Sequence, residues 1–118
     1  MPSPSPWPPA DALEIEPADV DLLLRRNTPF RLIDCREPDE WALTRLPTAE
    51  LLPLSDFAAQ FPHLLPDPAE PIVVHCHHGM RSAKATLFLR QKGYSRVWSL
   101  ARGIEGWSLE VDPAVARY

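Results

Sequence analysis

Short apolar runs alternate with segments of helical period along most of the chain. Ile72 to His75 (IVVH) is apolar and β-branched without alternation, the pattern of a strand buried on both faces of a parallel sheet, so it is expected at the sheet centre. Phe30 to Cys35 (FRLIDC), Ala49 to Leu52 and Arg96 to Leu100 (RVWSL) read as further strands, and Leu13 to Glu16 as a short edge strand. Between them lie five helical segments. Pro17 opens the first, Ala18 to Arg26, with Val20, Leu23 and Leu24 on one side; Asn27 and Pro29 end it. Pro38 opens the second, with acidic residues in its first turn and Trp41 expected to face inward. Ser55 is expected to cap the third, Asp56 to Phe61, before a proline-rich loop from Pro62 to Pro71. The fourth runs from about Ser82 to Lys92, with Ala83 and Leu87 among its apolar residues and Gly93 as its stop; the fifth fits Gly103 to Leu109. Repeated strand and helix units of this length predict an α/β fold with about five parallel strands, helices on both faces and right-handed crossovers.

The remaining segments carry no core-facing period. Residues 1–10 alternate proline and serine around Trp7 and are expected to form a disordered tail, leaving residues 11–118 as one domain. VDPAVARY at the other end is expected to run over the surface.

Composition narrows the class further. At 118 residues, 45% hydrophobic and 24% charged, the chain has the proportions of a globular domain. The net charge is -4, but residues 1–70 hold 5 basic and 13 acidic groups while residues 71–118 hold 7 basic and 3 acidic. With no basic run, nucleic acid is not expected as a partner; a small anion is. No stretch approaches a membrane span, and MPSPSPWPPA has neither the basic nor the apolar region of a signal peptide, so a cytoplasmic location without membrane contact is expected. The two cysteines, Cys35 and Cys76, are then judged as thiols. The four glycines never form a nucleotide fingerprint, and no cofactor is expected.

The chemistry concentrates at HCHHGMRS (His75 to Ser82), where the central strand turns into a helix, the edge at which open α/β sheets bind ligands. Loop N–H groups, the helix dipole and Arg81 would stabilise an anion there, with Gly79 supplying a conformation other residues resist. A Cys76 thiol in that cradle should ionise readily and act as a nucleophile at neutral pH. The cluster of His63, His75, Cys76, His77 and His78 is a poor zinc site, because consecutive residues do not converge on one ion and no separated pair completes a tetrahedron; no metal is expected.

These residues resemble the rhodanese family, whose active-site loop is often written C-x-x-G-x-R-S; Cys76, Gly79, Arg81 and Ser82 match it. LIDCREPDEW (Leu32 to Trp41) resembles that family's L-I-D-V-R-E-x-x-E-[FYW], and LARGIEGW (Leu100 to Trp107) its L-x-G-G-I-x-x-W. The resemblance implies a rhodanese-like fold and a sulfurtransferase in which Cys76 forms a persulfide and passes sulfur from thiosulfate or a persulfide donor to a thiol, cyanide or a sulfur-carrier protein. It implies that His77, His78, Gly79, Met80 and Arg81 form the substrate loop, supported by Ser82 and by Asp34 and Arg36, which would brace the loop or entry face; read from the residues alone, Asp34 and Arg36 are first of all a structural ion pair. Arg81 would either orient leaving sulfite or brace the loop, and His77 and His78 would either tune substrate approach or face solvent. Cys35 stands where the family commonly has valine, either as packing or as a resolving partner of Cys76.

Related phosphatases of the Cdc25 type carry five residues between cysteine and arginine where this chain carries four, which favours sulfur transfer over a phosphatase or arsenate reductase. A non-catalytic interaction or redox module is the third reading. The chain departs from the family's G-H-I-P-G-A, reading TRLPTAE (Thr44 to Glu50), and keeps one of two glycines at Ala101-Arg102-Gly103. Its last twelve residues resemble the tail of rhodanese domains fused to adenylyltransferases, which implies a protein acceptor in cofactor or tRNA sulfur supply. The oligomeric state is not legible in the sequence.

Overall fold

Burial on both faces, rather than alternation, organises the sheet. A computed structural model describes residues 5–118. The chain runs β1 (Glu14–Ile15), α1 (Pro17–Arg25), β2 (Arg31–Asp34), α2 (Pro38–Leu43), β3 (Glu50–Leu51), α3 (Leu54–Leu64), β4 (Ile72–His75), α4 (Met80–Gln91), β5 (Val97–Leu100) and α5 (Gly103–Glu110). The five strands pair in parallel in the order β1-β5-β4-β2-β3. All four residues of β4 are buried at the sheet centre, and β1 is an edge strand, as the apolar pattern predicts.

The strand period of two divides the core between the faces. Ile33, Val74 and Val97 point to one face, where Phe57 of α3 and Ala85 and Leu89 of α4 cover them. Leu32, Val73, Trp98 and Leu100 point to the other, beneath Val20 and Leu23 of α1 and Ile104 and Trp107 of α5. This is the expected parallel α/β sheet with helices on both sides.

Several local expectations are corrected. Of the expected tail, residues 1–4 lie outside the described residues, but Trp7 is docked: it stacks on Trp98 at 5.0 Å between ring centroids and meets Phe30 edge-on at 5.8 Å. Trp98 Nε1 also donates to the Pro9 carbonyl at 3.0 Å. One large aromatic finding an apolar face outweighs the polyproline composition around it. Trp41 does not face inward; α2 buries no residue, and Trp41 is half-buried under the Arg45 guanidinium, 4.8 Å from the ring centroid. Leu87 is 50% exposed, because the buried stripe of α4 is Ser82, Ala85, Thr86 and Leu89.

Helix α3 starts at Leu54 and continues through Pro62 to Leu64, beyond the expected end. Proline removes one N–H from the last turn, but Phe61 holds that turn against Phe88 and Tyr94 at 5.3 and 5.9 Å. Ser55 is not its cap; its hydroxyl donates to Glu37 at 2.7 Å. Helix α4 begins two residues early, since Gly79, at φ 110°, takes the position before its first turn. Among the described residues no helix is long and apolar enough to cross a membrane.

Candidate active site

Cys76 leaves the carboxyl end of β4 with its side chain 1% exposed. Gly79 bends the loop back with a positive φ that side chains resist, so its N–H donates to Cys76 Sγ at 3.0 Å. Ser82, in the first turn of α4, puts its hydroxyl 3.4 Å from the sulfur and 2.7 Å from the Ser99 hydroxyl. The carbonyls of Cys76 and His77 are held from below by the first turn of α5, which donates Ile104 N–H at 2.9 Å and Glu105 N–H at 3.1 Å. The loop is therefore clamped between the starts of two helices.

The sulfur's surroundings favour its anion. The Cys35 thiol, its neighbour across the sheet, is the largest influence lowering the Cys76 pKa; the hydroxyl and amide of Ser82 and the amide of Gly79 act in the same direction, against burial, and bring it to about 4. Cys35 is pushed upward by facing that thiolate and by burial. A group lowered in this way stays charged above its folded pKa and loses charge as pH falls through it. Alkylation of Cys76 by iodoacetamide is accordingly expected to be flat from pH 8 to 6 and to decline near 4. A rate falling tenfold per pH unit from 8 to 6, as for an ordinary thiol near 8.5, would refute the lowered value.

The Arg81 guanidinium is engaged by a carboxylate. It forms a two-pronged ion pair with Glu40 of α2, Nη1 to Oε1 at 2.6 Å and Nη2 to Oε2 at 2.9 Å. That geometry ties the start of α4 to α2. The Arg81 guanidinium holds the Glu40 carboxyl at about 2. Glu40 is itself fixed by accepting from the Glu37 N–H at 3.1 Å and from the Tyr118 hydroxyl at 2.7 Å.

Asp34 and Arg36 form the next layer. Arg36 is fully buried and donates to Asp34 through Nε at 3.0 and 3.1 Å and Nη2 at 2.7 Å, and to the Thr44 carbonyl at 2.6 Å and Tyr118 hydroxyl at 3.0 Å. His75, fully buried and pushed toward its neutral form by burial, places Nε2 3.7 Å from Asp34. Among the described residues the side-chain hydrogen bonds of Asp34 and Arg36 go to each other, to α2 and its end, and to Tyr118, and none goes to the Cys76 sulfur.

The two loop histidines separate. His77 is half-buried, sandwiched between His78 at 3.8 Å and Tyr118 at 3.9 Å between ring centroids, and burial followed by the neighbouring His78 lowers its pKa. His78 and Met80 are exposed, Met80 at 77%. The ligand atoms of His77, His78 and Glu105 come within 4.8 Å of one another, a grouping different from the histidine cluster weighed from the sequence. Arg117 already occupies the Glu105 carboxylate at 2.6 Å.

Comparison with known proteins now decides the family. The family description of the rhodanese-like domain matches residues 16–110. The chain belongs to the rhodanese-like domain family. It is 32% identical over 103 residues to a sulfurtransferase of Allochromatium vinosum, covering 87% of this chain and 94% of that protein. It is 33% identical over 90 residues to the chloroplastic rhodanese-like/PpiC domain-containing protein 12 of Arabidopsis thaliana, covering 75% of this chain but 30% of that much longer relative. Among solved structures, a rhodanese-related protein of Thermoplasma volcanium matches with a TM-score of 0.74 at 28% identity, covering 91% of this chain and all of that one. Human single-domain sulfurtransferase TSTD1 matches with a TM-score of 0.74 at 25% identity, covering 84% and 97%.

Within this rhodanese-like domain, the departure at Arg102 is now explicable. Arg102 holds φ 62°, a conformation for which the family pattern's glycine is suited, and its guanidinium is engaged by Glu16 and Glu110. Glu40, Ser99 and Tyr118 are the residues the sequence reading did not single out. Glu40 had a signal in the E-x-x-E of the second motif and Tyr118 one in the resemblance of the last twelve residues; Ser99 had none.

Proposed function

We propose that this rhodanese-like domain is a sulfurtransferase acting through a Cys76 persulfide, with thiosulfate or a persulfide as donor. The observation that carries this reading is the Cys76 sulfur at the end of β4, beneath the Gly79 N–H and the Ser82 hydroxyl at the start of α4, surroundings that favour its thiolate. The thiolate attacks the outer, sulfane sulfur of the donor; with thiosulfate, the bond between its two sulfurs breaks and sulfite leaves with the electron pair. An acceptor nucleophile then attacks the outer sulfur of the persulfide and the Cys76 thiolate returns. The acceptor is a thiol, cyanide or a sulfur-carrier protein, and the nearly covered Cys76 sulfur favours transfer of an atom that stands one bond further out.

Loop N–H groups that hold the thiolate would hold the persulfide anion in the same way, as preorganised donors stabilise charge elsewhere. With its guanidinium bound by Glu40, Arg81 keeps the loop closed on a single sulfur, and the four-residue spacing supports this over phosphoryl chemistry. The two free cysteines fit the reducing cytoplasm, where we place the activity.

Intact mass spectrometry after incubation with thiosulfate, beside a Cys76→Ala variant, tests the proposal. The wild type is expected to gain one sulfur atom that dithiothreitol removes, and the variant none. No gain with thiosulfate or with a small-molecule persulfide would overturn it.

A further inference from the structure

The second cysteine is placed by the same sheet that places the first. Asp34, the last residue of β2, pairs with His75, the last of β4, and the Cys35 N–H donates to the His75 carbonyl at 2.9 Å, carrying the ladder one residue further. Cys35 and Cys76 are thus the next residues of two adjacent parallel strands. Strand alternation turns Cys35, with Ile33, to the same face as Val74 and Cys76, and both cysteines belong to one packed cluster with Phe57 and Ala85. They are 0% and 1% exposed.

Adjacent strands lie about 4.8 Å apart, inside the range of roughly 4.4–6.8 Å between Cα atoms that a disulfide spans. Packing alone would be met by valine, the residue the family pattern has here. A thiol at this position instead faces the one nucleophilic sulfur of the domain.

We propose that Cys35 is the resolving thiol for oxidised Cys76, capturing it as a reversible Cys35–Cys76 disulfide. This rests on the reading of Cys76 as a reactive thiolate. A hydroperoxide oxidises that thiolate to a sulfenic acid, its O–O bond breaking as the Cys76 S–O bond forms. The Cys35 sulfur then attacks the Cys76 sulfur; the S–S bond forms, the S–O bond breaks, and the hydroxyl leaves as water with the Cys35 proton. The two sulfurs together lose two electrons to the peroxide, and an external dithiol returns them. The same step explains how a buried thiol that resists ionisation can serve: its ionisation is opposed chiefly by the facing Cys76 thiolate, and that charge is gone once Cys76 is oxidised.

The consequence is protection of the nucleophile. The sulfur that ionises most readily is also the one most exposed to irreversible oxidation, and a partner within reach diverts the first oxidation product.

The test treats the wild type and the variants Cys35→Val and Cys35→Ala with hydrogen peroxide, then reads intact mass, peptide linkage and alkylation of Cys76 before and after dithiothreitol. The wild type is expected to lose two hydrogens, to yield one Cys35–Cys76 linked peptide pair, and to regain full Cys76 alkylation on reduction. Both variants are expected to gain two or three oxygens at Cys76 and to regain none. Oxygen gain in the wild type equal to that of the variants overturns the resolving role while leaving sulfur transfer intact. Absence of any reaction at Cys76 in all three proteins, by peroxide or iodoacetamide, overturns this inference and the nucleophile reading together.

Discussion

Replacing Arg36 with alanine is expected to cost about 3–5 kcal/mol of folding stability, because it leaves the Asp34 carboxylate buried without its counter-ion. Both side chains are 0% exposed, and among the described residues the other basic group beside Asp34 is His75, 3.7 Å away, which is held toward neutrality by burial. The Asp34 carboxylate would keep the residue 36 backbone N–H at 3.0 Å as its remaining hydrogen-bond donor. The loss is a large part of the roughly 5–15 kcal/mol that holds a domain folded. Urea denaturation measures it, and a double variant, Asp34→Leu with Arg36→Leu, separates the causes. If unpaired charge is the dominant cost, the double variant is expected to be more stable than Arg36→Ala, since apolar replacement of both members removes the stranded carboxylate. A single variant within about 1 kcal/mol of wild type would show that the pair holds nothing.

The effect reaches the site through α2. Arg36 also donates to the carbonyls of Glu40 and Thr44, at 3.3 and 2.6 Å, and so fixes the helix that carries Glu40 to Arg81. Sulfur loading of any folded fraction is therefore expected to fall as well, although neither Asp34 nor Arg36 touches Cys76.

What the sequence disclosed follows the range of the interactions. β4 was legible with its bounds because four buried residues in a row leave a local signature, and Cys76 stood out as a candidate because part of its surroundings, Gly79 and Ser82, lies within six residues of it. The Arg81–Glu40 pair spans 41 residues and the Arg36–Tyr118 contact 82, distances at which no spacing rule operates. Trp7 was misread because composition describes what a segment does alone, while its ring packs on Trp98. Pro62 was misread for the same reason: a local breaker was outweighed by aromatic packing from α4 and beyond. Arg102 was seen only as a lost glycine, since its strained φ and its two acidic partners exist only once α5 is folded against the loop.

Gly103→Ala is expected to lower Cys76 persulfide loading by on the order of 10²-fold, the scale at which misplacing a reacting group by about 1 Å acts. A Cβ at Gly103 would lie 2.5 Å from the carbonyl oxygens of both Cys76 and His77 and 2.6 Å from the His77 carbonyl carbon. These are backbone atoms, so relief requires moving the loop or the start of α5. Those carbonyls are the ones that Ile104 and Glu105 N–H groups hold, so either movement breaks the clamp beneath Cys76. The overpacking is expected to cost about 1–3 kcal/mol in stability, read by denaturation. Gly93→Ala is the matching control: its φ of 95° is also positive, but nothing lies within 4 Å of the added methyl. It is expected to cost about 1–2 kcal/mol from backbone strain and to leave sulfur loading, scored by mass after thiosulfate, at the wild-type level. Equal losses of loading in the two variants would mean that general destabilisation, rather than the position of the Cys76 and His77 carbonyls, limits the reaction.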